Sequence, residues 1–512
     1  MFDCMALFNS RKCACYNFFL TNGAEDLAIM AMRGILLEGS LLGESVSLEK
    51  LLTRLAYSNL HVMLLFTNGQ DPSEKVDLLK QLSVSEFVKV VSVDANENVL
   101  KAIKESWPVQ ASHSVFVAST DGAAVTELTA SGWNILYSGQ GVASKEASTI
   151  QDIDDVFAAL AELNKKAFGV ELLVVGHVMK WSREKDFLKR RMLPSVPTSN
   201  DLVFVPLRTD RPMETQLDAV DIILHKATDE IVSVTTIQTP NPAERIQYSD
   251  SIKTLQRYIE EHPGKCIVDP IDRLAPILDR SLTREVLNDL EDAKVSDTTV
   301  VRAPRSVEVK DLEEPHLTEA VSVGFPTIVK TMMACGTNDA HTMAVVFKKE
   351  GYVNLAVPLP AVVQEYVDHG SCVYKFYIIG DKVMHSCRRS MPNAASMAVS
   401  DGSSGGMPAL VFDSLKSMPS SFEGDGKLLS NTVVEGDGSL DVEAVEKAAV
   451  WLRKKLGLSI IGFDIVVQVG TKDHVMVDVN YFPSFKDVSD KESIPAFWAT
   501  LRNAHASKTA ST

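Results

Sequence analysis

Short apolar runs alternating with amphipathic stretches recur along most of this chain, and parallel strands joined by helices satisfy that alternation most simply. In residues 1–165, Gly34-Ile-Leu-Leu-Glu38-Gly39, Leu60 to Phe66, Phe87 to Val93 and Ser114 to Val117 read as strands. Ser47 to Ala56 and Ser73 to Leu82 read as the helices between them. The acidic, helical Ile150 to Lys166 stretch then leads to Glu171-Leu-Leu-Val-Val-Gly176, which opens a second α/β segment over residues 166–302. Its strands are Leu202 to Pro206, Asp221 to Leu224 and Lys265 to Val268, with Ser249 to Glu261 helical. Over residues 303–500 the strands become β-branched and hairpin-like: Thr327 to Val329, Met343 to Phe347, Val362 to Val367, Val373 to Ile379 and Lys382 to His385. The helix Leu440 to Leu456 should end at Gly457 and feed the strand pair Ile460 to Val467 and His474 to Val479. The fold class is therefore α/β followed by α+β, with residues 501–512 as a tail. A chain of 512 residues exceeds one ordinary core. Between Ser396 and Gly438, serine, glycine, proline and aspartate predict mobile loops.

A formal charge of -16 argues against nucleic acid or an anionic membrane as partner, because both require a broad basic surface to displace counterions. No apolar run is long enough to cross a bilayer, so no membrane insertion is expected. Seven cysteines without a CxxC pair fit reduced thiols in a cytosolic protein, with nuclear presence left open. Two thiols, Cys13 and Cys15, are too few for a structural zinc site.

The segments Gly462-Phe-Asp464-Ile-Val and Met476-Val-Asp478-Val-Asn480 each set an acid among hydrophobes. A carboxylate there is costly unless a cation or donors meet it. Asp478 and Asn480 are two apart and share one strand face; with Asp464 they offer hard oxygens suited to Mg2+ beside nucleotide phosphates. Strand-end carboxylates capping nearby amides would explain the same letters. Lys330, ending an apolar strand, would otherwise be a buried ammonium.

These segments, extended through Val477-Asp478-Val-Asn480-Tyr-Phe-Pro483, resemble the metal-binding end of the inositol tris/tetrakisphosphate kinases, which have the ATP-grasp fold. Further motifs follow the family's order over roughly residues 170 to 495: Leu224-His225-Lys226, Val268-Asp269-Pro270 with Leu278-Asp279-Arg280, Phe325 to Lys330, Gly336-Thr337 with His341, Val363-Gln364-Glu365-Tyr366, Tyr374-Lys375 and Arg388-Arg389-Ser390. The resemblance implies Mg2+ and ATP as co-substrate, and inositol polyphosphates as ligands. It implies Asp464, Asp478 and Asn480 as metal ligands. Arg280, Lys330, Gln364, Glu365, Val367 and Ser390 would contact nucleotide, Gln364 to Val367 as an adenine-binding hinge. Lys226, His341, Lys375, Asn480 and Lys185 would meet substrate, and Lys375, Arg389 and Lys330 would serve the transferred phosphate. From the residues alone, Arg280 reads first as a partner of Asp279, and the hinge reads equally as a plain core strand.

The sequence departs from the family in several places. Lys180, Arg183 and Lys185 follow Gly176-His177 in altered spacing, Cys335 precedes Gly336-Thr337, the arginine loop is one residue short, and Ser484 follows Phe482-Pro483. Residues 1–165 resemble the N-terminal extension of a plant branch, and Glu38-Gly39-Ser40 with Phe66-Thr67-Asn68-Gly69 resemble two motifs of haloacid-dehalogenase-like phosphatases. The nucleophilic aspartate is replaced by Glu38, one methylene out of place, which predicts a degenerate domain of that type or an ordinary α/β domain, in either case without phosphatase activity. Two rival functions share the same residues: a non-catalytic inositol-phosphate-binding regulator, and an ATP-grasp carboxylate ligase.

Overall fold

The computed structural model of the protein describes residues 31–42, 46–69, 86–94, 97–139, 148–234, 245–336, 340–398, 407–414 and 438–510. The predicted Ser73–Leu82 helix, Thr337, Cys4, Cys13, Cys15 and most of the Ser396–Gly438 stretch fall outside these residues. The described chain forms two compact units, residues 1–177 with 181–223, and residues 178–180 with 224–512.

In the first unit, strands β1 (Gly34–Glu38), β2 (His61–Thr67), β3 (Val88–Val93), β4 (Ser114–Ala118), β5 (Asn134–Ser138) and β6 (Ser148–Ile150) form a parallel sheet in the order β3-β2-β1-β4-β5-β6. The central strands β1, β2 and β4 are almost wholly buried, which is why they are continuous apolar runs rather than alternating ones. The sequence reading omitted β5 and β6, whose letters are partly polar and whose positions are only partly buried. Leu36, Phe116, Leu128, Trp133 and Tyr137 lie in the core on one side of the sheet. The helix Val156–Phe168 follows, and then β7 (Leu173–Val178) pairs in parallel with β8 (Leu202–Pro206). Lys165 joins Asp221 at 2.8 Å, and Arg208 pairs with Asp152 and Asp155. Such pairs carry this unit beyond residue 165, where sequence composition placed a boundary. Strand β9 (Ile222–His225) takes the chain into the second unit.

The second unit begins with the antiparallel ribbon β10 (Ile231–Val234) and β11 (Ile246–Tyr248), then β12 (Cys266–Val268) and the helix Arg280–Asp292. Strands β13 (Val301–Arg302), β14 (Ser306–Val309), β15 (Thr327–Thr331), β16 (Thr342–Val346), β17 (Ala361–Glu365), β18 (Cys372–Ile379), β19 (Lys382–Arg389), β20 (Ala409–Asp413), β21 (Ile460–Val467) and β22 (His474–Tyr481) complete two five-stranded sheets. One is antiparallel, in the order β14-β17-β15-β16-β20. The other has the order β13-β22-β21-β18-β19 and is antiparallel apart from its β13–β22 edge. The helix Val442–Leu456 is capped by the Asp441 carboxylate, which accepts from the Ala444 amide at 3.1 Å. It ends, as the sequence predicts, at Gly457 in the left-handed region with φ +67°.

Two expectations are corrected here. Strand β20 lies inside the predicted loop region; Ala-Leu-Val-Phe-Asp is a short apolar run between Pro408 and Ser414, and its pairing with β16 makes it a strand. Cys372 and Cys387 are joined as a disulfide between neighbouring strands, against the reading of all thiols as reduced. Fifteen residues separate them in sequence, and only the β18–β19 hairpin brings them together.

Candidate active site

Three strands of the second sheet build a polar row in an otherwise apolar layer. In the register, Asp464 on β21 stands opposite Lys375 on β18 and opposite Asp478 on β22. Residues directly opposite across a sheet share a face at about 5 Å. Lys375 donates to the Asp464 carboxylate at 2.6 Å. Asn480, two residues beyond Asp478 on the same face, donates its amide to the Asp478 carboxylate at 3.0 Å, which leaves its carbonyl oxygen as a further donor to a cation. Burial pushes the Asp464 carboxyl above its ordinary range; Lys375 opposes that shift and Asp478 adds to it. Burial also works against the Lys375 charge, but Asp464 and Asp478 outweigh it and hold the ammonium above its usual value.

The other sheet adds a buried ammonium. Lys330 sits on β15 between β16 and β17, and its Nζ donates to the Val477 carbonyl of β22 at 2.9 Å, next to Asp478. Burial pulls its pKa down to about 8 against the attraction of Asp478. Arg280 opens its helix and donates through Nη1 to the Thr331 and Met333 carbonyls at 2.7 and 2.9 Å. Asp279 is not its partner: that carboxylate accepts from the Ser281 amide at 2.8 Å as the helix cap and pairs with Arg245. Arg280, Lys330, Gln364 and Asp478 line one cavity between this helix and the two sheets.

At the expected hinge, the Glu365 carboxylate is engaged by Arg302 at 2.6 Å and Arg305 at 3.0 Å. Arg302 also reaches Asp473 on the approach to β22 and thereby ties the two sheets together. The Val367 carbonyl and the Ser390 hydroxyl meet the two ring nitrogens of His369 at 2.6 and 2.9 Å. Sequence reading missed His369 and Arg302; Asp368-His369-Gly370 directly after the hinge is the signal that was passed over.

Of the residues expected to bind substrate, Lys226 is buried, with its Nζ donating to the Tyr481 carbonyl, one residue beyond Asn480, and lying 5.0 Å from the Tyr481 ring centre. The Tyr481 hydroxyl donates to the His225 carbonyl at 3.1 Å, so this tyrosine fixes both the Lys226 backbone and its ammonium. His341 is partly buried; burial first, then Arg280, lowers its pKa. The remaining two candidates are Lys185 and Arg389. Lys185 lies in the first unit, where its ammonium meets Glu49 at 2.9 Å. Arg389 is exposed, and strand alternation puts it on the face opposite Lys375; Arg388 shares the Lys375 face instead and pairs with Asp487.

The model described as inositol 1,3,4-trisphosphate 5/6-kinase ATP-grasp domain matches residues 295–498, and the corresponding pre-ATP-grasp domain matches residues 174–274. Inositol-tetrakisphosphate 1-kinase 6 from Oryza sativa subsp. indica is 38% identical over 468 residues, covering 90% of this chain and 84% of the rice protein. The chain belongs to the inositol 1,3,4-trisphosphate 5/6-kinase family. A more distant member, the Xenopus laevis inositol-tetrakisphosphate 1-kinase, is 30% identical over 304 residues, covering 58% of this chain and 70% of the frog protein. Residues 29–166 match the model described as ITPK4, N-terminal HAD-like domain, in line with the six-stranded parallel sheet of the first unit. Among solved structures, a Bacillus anthracis D-alanine–D-alanine ligase has a TM-score of 0.40 at 13% identity, covering 67% of this chain and all of the ligase.

In this family member, the donor set fits Mg2+. The described residues contain no group of three His, Cys, Asp or Glu side chains able to hold a metal. A closed protein cage is not what Mg2+ requires, since it takes one or two carboxylates and fills its octahedron with phosphate oxygens and water. Asp464 and Asp478 face each other beside the Lys375 and Lys330 ammoniums, and a divalent ion held by the two carboxylates would offset their mutual repulsion.

Proposed function

We propose that the chain transfers the γ-phosphoryl group of Mg-ATP to a ring hydroxyl of an inositol tris- or tetrakisphosphate. The observation that carries this reading is the Lys375–Asp464–Asp478 row with Lys330 reaching across from the other sheet. Phosphoryl transfer demands alignment and charge neutralisation more than covalent help from the protein. Magnesium held by Asp464, Asp478 and Asn480 would neutralise charge on the ATP phosphate oxygens.

Lys330 and Arg280, which line one cavity, hold the nucleotide phosphates in this reading. Lys375, anchored by Asp464 on the shared face, presents its ammonium where the transferred group passes, and Arg388 rather than Arg389 extends that face. Lys226 and His341 are the candidates for the polyanionic acceptor, Lys226 held in place by Tyr481. Gln364 to Val367, braced by Arg302 and His369, form the adenine hinge.

Incubation with Mg-ATP and a panel of inositol phosphates, with ADP and each product isomer quantified, tests the reading. Stoichiometric ADP and a newly phosphorylated inositol support it. Tight binding without ADP would make the chain a regulator, and ADP formed only alongside an acylated amine or thiol would make it a ligase.

A further inference from the structure

The helix Arg280–Asp292 carries a second arginine that the family motifs do not include. Arg284 is four residues after Arg280, hence one turn further on the same face and about 6 Å along the axis. It lines the same cavity as Lys330, Gln364 and Asp478. Among the described residues its Nε is buried without a hydrogen-bond partner, as is that of Arg280. The one hydrogen bond Arg284 makes among the described residues is from Nη1 to the Ser306 carbonyl at 3.5 Å, the outer limit of such a bond. A guanidinium carries five donors, and leaving buried ones unmade is costly. Three cations, Arg280, Arg284 and Lys330, thus face a cavity whose lining contains the single carboxylate Asp478. An anionic ligand in the cavity would supply acceptors for these donors.

Position separates the two arginines. Arg280 is tied by Nη1 to the end of β15 at Thr331 and Met333. Arg284 leans instead toward Ser306, which stands opposite Gln364 of the hinge in the β14–β17 register. Arg284 therefore lies on the nucleoside side of Arg280. We propose that Arg284 is a nucleotide-binding residue that contacts the phosphate nearest the ribose of ATP. This inference rests on the reading of the cavity as the ATP site and extends it to a residue outside the family motifs.

The test uses the full chain with Arg284→Leu, which keeps bulk and removes charge and donors, and with Arg284→Gln as a second variant should the first fail to fold. Steady-state rates at varied ATP are combined with inhibition by adenosine, AMP and ADP. The KM for ATP should rise about tenfold, the value expected for one lost charge-assisted contact, while kcat at saturating ATP falls less than about threefold. AMP and ADP inhibition should weaken by a similar factor, and adenosine inhibition should stay unchanged. An unaltered KM for ATP and unaltered AMP inhibition would overturn the proposal and leave Arg284 as a clasp on Ser306. Equal weakening for adenosine and AMP would also overturn it, because the contact would then be with the nucleoside or the fold. Wild-type protein that shows neither ATP turnover nor inhibition by any of the three would instead refute the underlying assignment of the cavity.

Discussion

Glu38 and Glu184 of the first unit and the Asp464–Asp478 pair of the second are held in opposite ways. In the first, Glu38 at the end of β1 is saturated: it accepts from the Ser119 amide at 2.6 Å, from the Ser119 hydroxyl at 3.0 Å and from Ser40 at 2.8 Å. Glu184 is likewise enclosed by two bonds from Arg54, at 2.7 and 3.0 Å, and by His177 at 3.4 Å. Burial alone would raise the Glu184 pKa, but His177 and Arg54 outweigh it and hold it at about 2. In the second unit, Asp464 and Asp478 oppose each other across neighbouring strands and share Lys375 and the Asn480 amide. A carboxylate whose lone pairs are spent on its own chain is a structural element. A pair left in mutual repulsion is poised for a cation.

The sharpest way to break this contrast is Asp478→Ala or Lys330→Ala. Each should lower kcat by about a thousandfold or more with the circular dichroism spectrum unchanged, because transition-state charge stabilisation is lost. Comparable turnover in either variant would place the second-unit acids in the same structural class as Glu38. Arg54→Ala should act on stability instead, costing about 3 kcal/mol by leaving a buried carboxylate without its main partner, read from urea denaturation. The same pair gives a pH signature. The folded-state pKa of Glu184 is depressed to about 2, so its contribution is complete above its unfolded value and is lost as pH falls from about 4.5 toward 2.

Lys330 supplies a smaller, pH-dependent effect. Its ammonium is half lost near pH 8, so ATP affinity should decline toward tenfold per unit as pH rises above that point, with proton uptake on binding visible by calorimetry in buffers of different ionisation enthalpy. Lys330→Arg should flatten the profile up to pH 10 if this amine is the source. Smallest of all, Glu38→Gln should leave inositol phosphate turnover unchanged and shift stability by about 1 kcal/mol, since it exchanges hydrogen bonds to a charged acceptor for weaker ones. Loss of any phosphatase turnover in that variant would show that the first unit has chemistry of its own.

Much of the candidate site was legible because its residues sit in apolar strands where a charge is conspicuous: Asp464, Asp478 and Lys330 each interrupt a hydrophobic run. Arg388 and Arg389 differ in sequence only by strand parity, and the register decides which of them shares the Lys375 face. Lys185 could not be placed from spacing, since its partner Glu49 lies 136 residues away. Arg302 and Tyr481 hold other residues in place, and nothing in a single sequence marks a side chain with that role. Strand β20 was hidden because strand formation at a sheet edge depends on the partner strand more than on its own five letters.

The sequence by itself determined the α/β and α+β order, the family, and the acids and ammonium around which a nucleotide site must form, because periodicity and buried charge are local costs written into each segment. Tertiary structure alone decided which carboxylates are satisfied and which are opposed, that Cys372 meets Cys387, that Arg388 rather than Arg389 shares the Lys375 face, and that Arg284 joins Arg280. Those outcomes depend on register and on contacts between residues distant in the chain, where the energy of a side chain is set by what the fold brings opposite it.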